Sequence, residues 1–107
     1  MIDHLRGYSR LQPGGGLLAY SVVTRCELLA GIHGEERARD LLDSMIEVPV
    51  DREIAEQAGF IRRRHGTMIA DALIAATAMQ LVVPLLTRNR RDFEGIKGLK
   101  LRPVDRP

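Results

Sequence analysis

The stretch 68–87, MIADALIAATAMQLVVPLLT, decides the fold of this chain. Residues 68–80 are apolar on nearly every side of a helix, which predicts a central helix that other elements cover. Residues 84–87 are a short apolar run of the kind found in buried strands. The apolar part is too short to span a bilayer and polar residues interrupt it. It therefore predicts a buried helix that leads into a strand.

Helical and extended segments alternate on both sides of this stretch. The predicted elements are a loop at 12–16, a strand at 17–20, helices at 22–32, 35–47 and 51–65, an extended link at 48–50, a short helix or turn at 90–96 and an edge strand at 99–104. Strands separated by helices predict an α/β fold in three layers, with a parallel sheet flanked by helices. Such sheets place functional groups at the carboxyl ends of their strands.

Size and composition favour one domain over residues 1–107. The chain is 45% hydrophobic and 28% charged, which suits a single core. Its net charge of +2 is mildly basic and permits a polyanionic partner. The single Cys26 cannot form an intramolecular disulfide, and no signal-peptide pattern is present. We therefore expect a cytoplasmic protein without a membrane segment.

Three acidic residues stand out by their positions in the predicted fold. Glu27 shares a helix face with apolar neighbours, and Asp71 lies at the start of the most apolar helix. Asp92 belongs to the turn after the strand that ends at Thr87, so the three can converge at one edge of the sheet. Clustered carboxylates suit Mg²⁺ or Mn²⁺. Such a cation can activate a water and stabilise negative charge on a phosphodiester.

Each acid also has a structural explanation. Glu27 could form a salt bridge with an arginine, and Asp71 could be a residue favoured by the helix dipole. Asp92 could cap the turn before Phe93. Spacing by itself therefore leaves the function open.

Four segments resemble, in sequence order, the motifs of the PIN domain. They are IDHLRG at 2–7, SVVTRCELLAG at 21–31, ADALIAATA at 70–78, and LTRNRRDF at 86–93 with IKGL at 96–99. The resemblance covers nearly all of the chain, and the last two motifs are the more specific. It implies a compact nuclease of the VapC toxin kind that binds Mg²⁺ or Mn²⁺ and cleaves single-stranded RNA. It also implies a cognate antitoxin and a homodimer.

The resemblance assigns roles to particular residues. Glu27, Asp71 and Asp92 match acids that hold the metal and carry catalysis, and Thr87 could hold a water or a phosphate oxygen. Asn89 stands where some relatives have another acid, so Asn89 and Asp92 compete for the fourth position. We favour Asp92 because it is charged.

The chain departs from the family at its front. The family's first aspartate, on the first strand, would lie upstream of Asp3, but the sequence begins with Met1. This predicts an N-terminally truncated PIN-like fold in which two strands lack a ladder partner. Either the chain is a truncated reading of an active enzyme, or it is a degenerate, non-catalytic module that binds an antitoxin or another protein. We favour truncation, because three acidic motifs persist together.

Other features are less specific. Arg88, Arg90 and Arg91 could contact phosphate or form a solvated turn. We interpret the basic cluster at 62–65 as structural, because cations suit the end of a helix. The scattered histidines exclude a zinc motif. With only two Phe, two Tyr and no Trp, an aromatic platform for bases is not expected. The apolar runs 28–32 and 41–46 fit core packing better than a dimer or antitoxin surface.

Overall fold

The computed structural model describes residues 9–31 and 34–103, as five strands and five helices. In chain order they are β1 (Arg10–Gly14), β2 (Leu17–Ser21), α1 (Val22–Ala30), α2 (Glu35–Asp43), β3 (Ile46–Val48), α3 (Arg52–His65), α4 (Ile69–Leu81), β4 (Leu85–Leu86), α5 (Arg90–Phe93) and β5 (Leu101–Arg102). The motif at 2–7 and the last residue of the predicted strand 99–104 lie outside the described residues.

The strands form one sheet in the order β3-β2-β1-β4-β5, with helices on both faces. Strands β2, β3, β4 and β5 share one direction, whereas β1 runs antiparallel to both of its neighbours. Helices α3 and α4 cover one face together with Leu11, Ala19 and Leu85. Tyr20 and Leu28 pack with α2 in a second cluster. The predicted α/β fold with a mostly parallel, flanked sheet is confirmed.

The central strand β1 corrects the predicted loop at 12–16. Leu11 pairs with Ala19 and is fully buried, and only Gly15 and Gly16 form the turn to β2. Both glycines have positive φ, 62° and 78°, which a tight two-residue hairpin turn requires. The glycine run therefore supplies the backbone geometry of a hairpin, although its composition resembles that of a flexible loop.

Strand β1 also fills the place where the sequence predicts a gap. Arg10 and Leu11 pair with Leu86 and Leu85, so β2 and β4 each have a ladder partner on their inner side. The expectation that two neighbours would lack partners is wrong for the described part of the chain. Because β1 runs against the parallel strands, its amino end lies at their carboxyl edge. Ser9 and Arg10 thus enter the edge where functional groups are expected.

Helix boundaries follow the predicted caps closely. The side chain of Ser21 accepts a hydrogen bond from the backbone N of Val23, and that of Asp51 accepts one from Ile54. Helix α2 ends at Asp43, short of the predicted 47, because residues 46–48 pair with β2 as a parallel strand. The pairing partner of β3 is distant in sequence, and helical periodicity cannot reveal it.

Helix α4 begins at Ile69 and buries six residues, as the apolar stretch predicts. Within residues 9–31 and 34–103, no helix combines the length and apolar character needed to cross a membrane.

We expect Leu11→Ala to lower the free energy of unfolding by about 2–5 kcal/mol, because it removes a fully buried side chain from the central strand. Leu17→Ala is the matched control in the same hairpin, since Leu17 is 56% exposed. Its effect should stay within about 0.5 kcal/mol. Urea denaturation followed by circular dichroism measures both. Equal effects of the two substitutions would contradict the placement of β1 in the core.

Candidate functional site

The candidate site lies at the carboxyl edge of the parallel strands. Helix α1 follows β2 directly and carries Glu27, while α4 carries Asp71 in its first turn. Asp92 lies in the short helix α5, which follows β4. Three separate elements therefore bring one carboxylate each to this region of the molecule.

Neighbouring carboxylates affect the ionisation of Glu27 and Asp71. Burial raises the pKa of the half-buried Glu27, and the charge of Asp71 raises it further. The pKa of Asp71 is raised by burial and then by the charge of Asp92. A helix start favours a negative charge, so burial and repulsion outweigh that effect at Asp71. Asp71 thus links Glu27 and Asp92, and the arrangement would be relieved by a cation.

The structural explanation of Glu27 as a salt-bridge partner does not hold within the described residues. The ion pairs there join Arg25 to Asp43 and Glu47, and Arg39 to Glu35. Neither Glu27 nor Asp71 takes part in one.

Arg25, two residues before Glu27, is directed elsewhere. Its Nε donates to Glu47 at 2.7 Å, and its Nη2 donates to the Tyr20 hydroxyl at 2.7 Å and to Asp43 at 3.0 Å. The same hydroxyl donates to Glu47 at 2.7 Å. This network fastens α1 to β2, β3 and the end of α2, and it leaves Glu27 on a different side of the helix.

The donor chemistry fits a hard divalent cation that keeps part of its water shell. Among residues 9–31 and 34–103, no three Asp, Glu, His or Cys side chains are grouped closely enough to hold a metal ion. Mg²⁺ commonly retains several waters and binds through one or two carboxylates together with substrate phosphates. The neighbouring carboxylates of Glu27 and Asp71, which pair with no cationic side chain of the described residues, suit that kind of binding. Their metal-binding role stays a prediction.

Thr87 organises the turn that carries Asp92. It is 2% exposed, and its Oγ1 accepts hydrogen bonds from the Ser9 hydroxyl at 3.1 Å and from the backbone N of Asn89 at 3.0 Å. The predicted contact of Thr87 with a water or a phosphate oxygen would have to share this oxygen. Sequence reasoning missed Ser9, because its position depends on the reversed direction of β1. Gly15 and Gly16 were the sequence signal for the hairpin that reverses β1 and so places Ser9 at this edge.

The turn after β4 lines an exposed surface pocket beside Asp92. Its lining residues are Arg88, Asn89, Arg90, Arg91, Asp92 and Glu94. The three arginines are exposed and, within the described part of the chain, form no ion pairs, so they are free to meet phosphate. Asn89, and not Asp92, occupies the cap position of α5. The charge of Asp92 contributes to the raised pKa of Asp71. The choice of Asp92 over Asn89 as the fourth acid stays a prediction.

We expect Asp71→Asn to stabilise the metal-free protein at pH 7. Folding raises the pKa of Asp71, so the protonated side chain favours the folded state. This contribution to stability is fully present below the unfolded pKa of about 3.9 and is lost as the pH rises through the folded value. Asparagine is neutral at every pH and avoids this loss. The stability difference between variant and parent should therefore shrink towards zero below about pH 4. Urea midpoints of parent and variant, measured in EDTA between pH 7 and pH 4, test this expectation. Asp40→Asn is the control, because Asp40 is exposed. A variant less stable than its parent at pH 7 would contradict the assignment.

Comparison with known protein families identifies a match over most of the chain. The PIN domain profile matches residues 5–99. The chain is 35% identical over 106 residues to Ribonuclease VapC19 of Mycobacterium tuberculosis, covering 86% of this chain and 85% of that protein. It is 32% identical over 114 aligned positions to Ribonuclease VapC1 of Methanocaldococcus jannaschii, and this alignment covers 99% of this chain and 82% of that protein.

Solved structures show the same fold. A chain of a toxin–antitoxin complex from Klebsiella pneumoniae aligns with a TM-score of 0.66 and 33% identity, over 79% of this chain and 70% of that one. A chain of DNA-bound VapBC from Salmonella typhimurium aligns with a TM-score of 0.68 and 27% identity, over 79% and 74%.

Proposed function

We propose that this chain, which belongs to the PIN-domain family, is a Mg²⁺- or Mn²⁺-dependent endoribonuclease that cleaves single-stranded RNA. We also propose that it is the toxin of a toxin–antitoxin pair. The observation that carries the proposal is the position of Glu27, Asp71 and Asp92 at the carboxyl edge of the sheet, where the charge of Asp71 raises the pKa of Glu27 and the charge of Asp92 raises the pKa of Asp71. The ribonuclease names of the relatives and the toxin–antitoxin complexes among the similar structures support it.

Each side chain has a role that follows from its position. Glu27 and Asp71 would hold the cation, and Asp92 would ligate it directly or accept a hydrogen bond from a bound water. A bound divalent cation supplies stabilisation of negative charge on the phosphate and increases the acidity of water. Arg88, Arg90 and Arg91 would contact phosphates without reading the base sequence.

The same membership supports the proposed partners. The similar structures from Klebsiella pneumoniae and Salmonella typhimurium are complexes, so we propose a cognate antitoxin for this chain. We also propose a homodimer acting in the cytoplasm, as the family resemblance implies.

We expect Glu27→Gln and Asp71→Asn each to reduce RNA cleavage about a hundredfold or more, because each removes a charge that holds the cation. Both substitutions keep the shape of the side chain, so the urea midpoints should not fall. Gel analysis of mixed single-stranded RNAs with Mn²⁺ measures cleavage, and Glu36→Gln on the exposed side of α2 is the control. The proposal fails if both variants cut as well as the parent.

We expect Asp92→Asn to reduce cleavage about tenfold or more, whereas Asn89→Ala should leave it within about twofold. The charge of Asp92 acts on Asp71, and Asn89 contacts Thr87 through its backbone N, which the alanine retains. The same assay compares the two variants at equal protein concentration. A larger loss for Asn89→Ala would move the fourth position to Asn89.

A second candidate is a non-catalytic PIN module that binds an antitoxin or another protein. It is favoured by the absence, within the described residues, of three side chains grouped as a metal site. This candidate predicts no Mn²⁺-dependent cleavage but retained binding of a protein partner. The discriminating experiment repeats the cleavage assay with a version extended by the in-frame codons upstream of Met1. Cleavage by either version would exclude the binding module.

A further inference from the structure

We propose that the C-terminal end of α3 forms a second contact for single-stranded RNA beside the acidic site, using Phe60, Arg62, Arg63 and Arg64. We call these four residues the α3 ridge. The identity of the ligand rests on the proposed function, whereas the ridge itself is defined by exposure, charge and position.

The ridge lies close to Asp71. Gly66, with a φ of 71°, ends α3 and turns the chain into α4, whose first turn contains Asp71. Nη1 of Arg62 donates to the backbone O of Thr67 at 3.0 Å. Thr67 precedes Asp71 by four residues, which even a fully extended chain spans in about 14 Å. An RNA strand that passes the acids can therefore reach the ridge within a few nucleotides.

Within the described part of the chain, no acidic side chain neutralises the charge of the ridge. Arg62, Arg63 and Arg64 are exposed and, among residues 9–31 and 34–103, form no ion pair, unlike Arg25 and Arg39. The helix dipole favours cations at this end of α3. That effect explains why the basic cluster at 62–65 is tolerated at the end of α3, in agreement with its structural interpretation from the sequence. It gives no reason for an exposed aromatic ring among the arginines.

Phe60 supplies that reason. Its side chain is 58% exposed, and the guanidinium of Arg63 lies 5.1 Å from the ring centroid. A cation held over one face leaves the rest of the ring to solvent, where a base can stack. Guanidinium groups for phosphates beside an aromatic ring for a base are the chemistry of single-strand binding. The low aromatic content suggested no stacking platform, but a single stacked base needs only one ring.

Charge complementarity favours RNA over a second copy of this chain. Met68 and Ile69, both exposed, lie in the same connection and would suit a protein interface. Arg62, Arg63 and Arg64 pair with no acid of the described residues, however, and they would meet like charge on a second copy of this ridge. A polyanion satisfies all three at once.

The test measures RNA binding in EDTA, so that cleavage is not required. The probe is a short fluorescein-labelled single-stranded RNA of mixed sequence, followed by fluorescence anisotropy at several salt concentrations. The ridge variant is Arg62→Gln/Arg63→Gln/Arg64→Gln. The matched control, Arg37→Gln/Arg52→Gln/Lys100→Gln, removes the same charge from exposed positions elsewhere.

The ridge variant should weaken binding about tenfold or more relative to the control. The slope of log Kd against log salt should fall by about 2, as expected when three phosphate contacts to a single strand are lost. Phe60→Leu should weaken binding about tenfold, and Phe60→Tyr should retain it, because stacking needs an aromatic face. Urea midpoints confirm that each variant is folded.

The proposal is overturned if the ridge variant and the control bind RNA equally, or if Phe60→Leu binds as the parent does. It is also overturned if light scattering shows that the ridge variant has lost a dimer while RNA binding is unchanged, since the surface would then belong to a second copy. Failure of the proposed function has a different signature. The parent would then cut no RNA with Mn²⁺, whatever the ridge variants do in EDTA.

Discussion

The backbone pairing of β1 in the middle of the sheet is the constraint on which the rest of the structure depends. An interior strand must satisfy the backbone groups of the strands on both sides of it. Strand β1 does so for β2 and β4, and its Leu11 packs in the core with residues of α3 and α4. The strand can lie there because Gly15 and Gly16 turn the chain back at once. Its reversed direction brings Ser9 to the edge that carries the acids.

The carboxylates of Glu27, Asp71 and Asp92 at the carboxyl edge of the sheet lower the stability of the fold. Glu27 and Asp71 are half-buried, and burial followed by a neighbouring carboxylate raises the pKa of each, Asp71 acting on Glu27 and Asp92 on Asp71. Other contacts must therefore hold the helices that carry them. Arg25 does this for α1, since its ion pairs and its contact with Tyr20 reach two strands and a second helix. The buried face of α4 does it for Asp71. A rigid support for repelling charges is what a cation site requires.

Sequence reasoning succeeded where the signal was local. The apolar run of α4 and the capping side chains of Ser21 and Asp51 depend on neighbours within one or two turns, and the structure has them as predicted. It failed at β1 and β3, because a strand of three to five residues is defined by partners elsewhere in the chain. Motif order placed the three acids in one region, but their distances and the contact of Ser9 with Thr87 depend on packing.

The glycine hairpin also bears on how the chain folds. Leu11 meets Ala19 across a short loop, whereas its other neighbour, Leu85, lies more than seventy positions along the sequence. Local closure is fast and carries a small entropy cost, while distant closure is slower. The hairpin can therefore form early and present a template edge, onto which the segment containing α4 and β4 docks later. The two halves of the acidic edge would then come together only in the last step of folding.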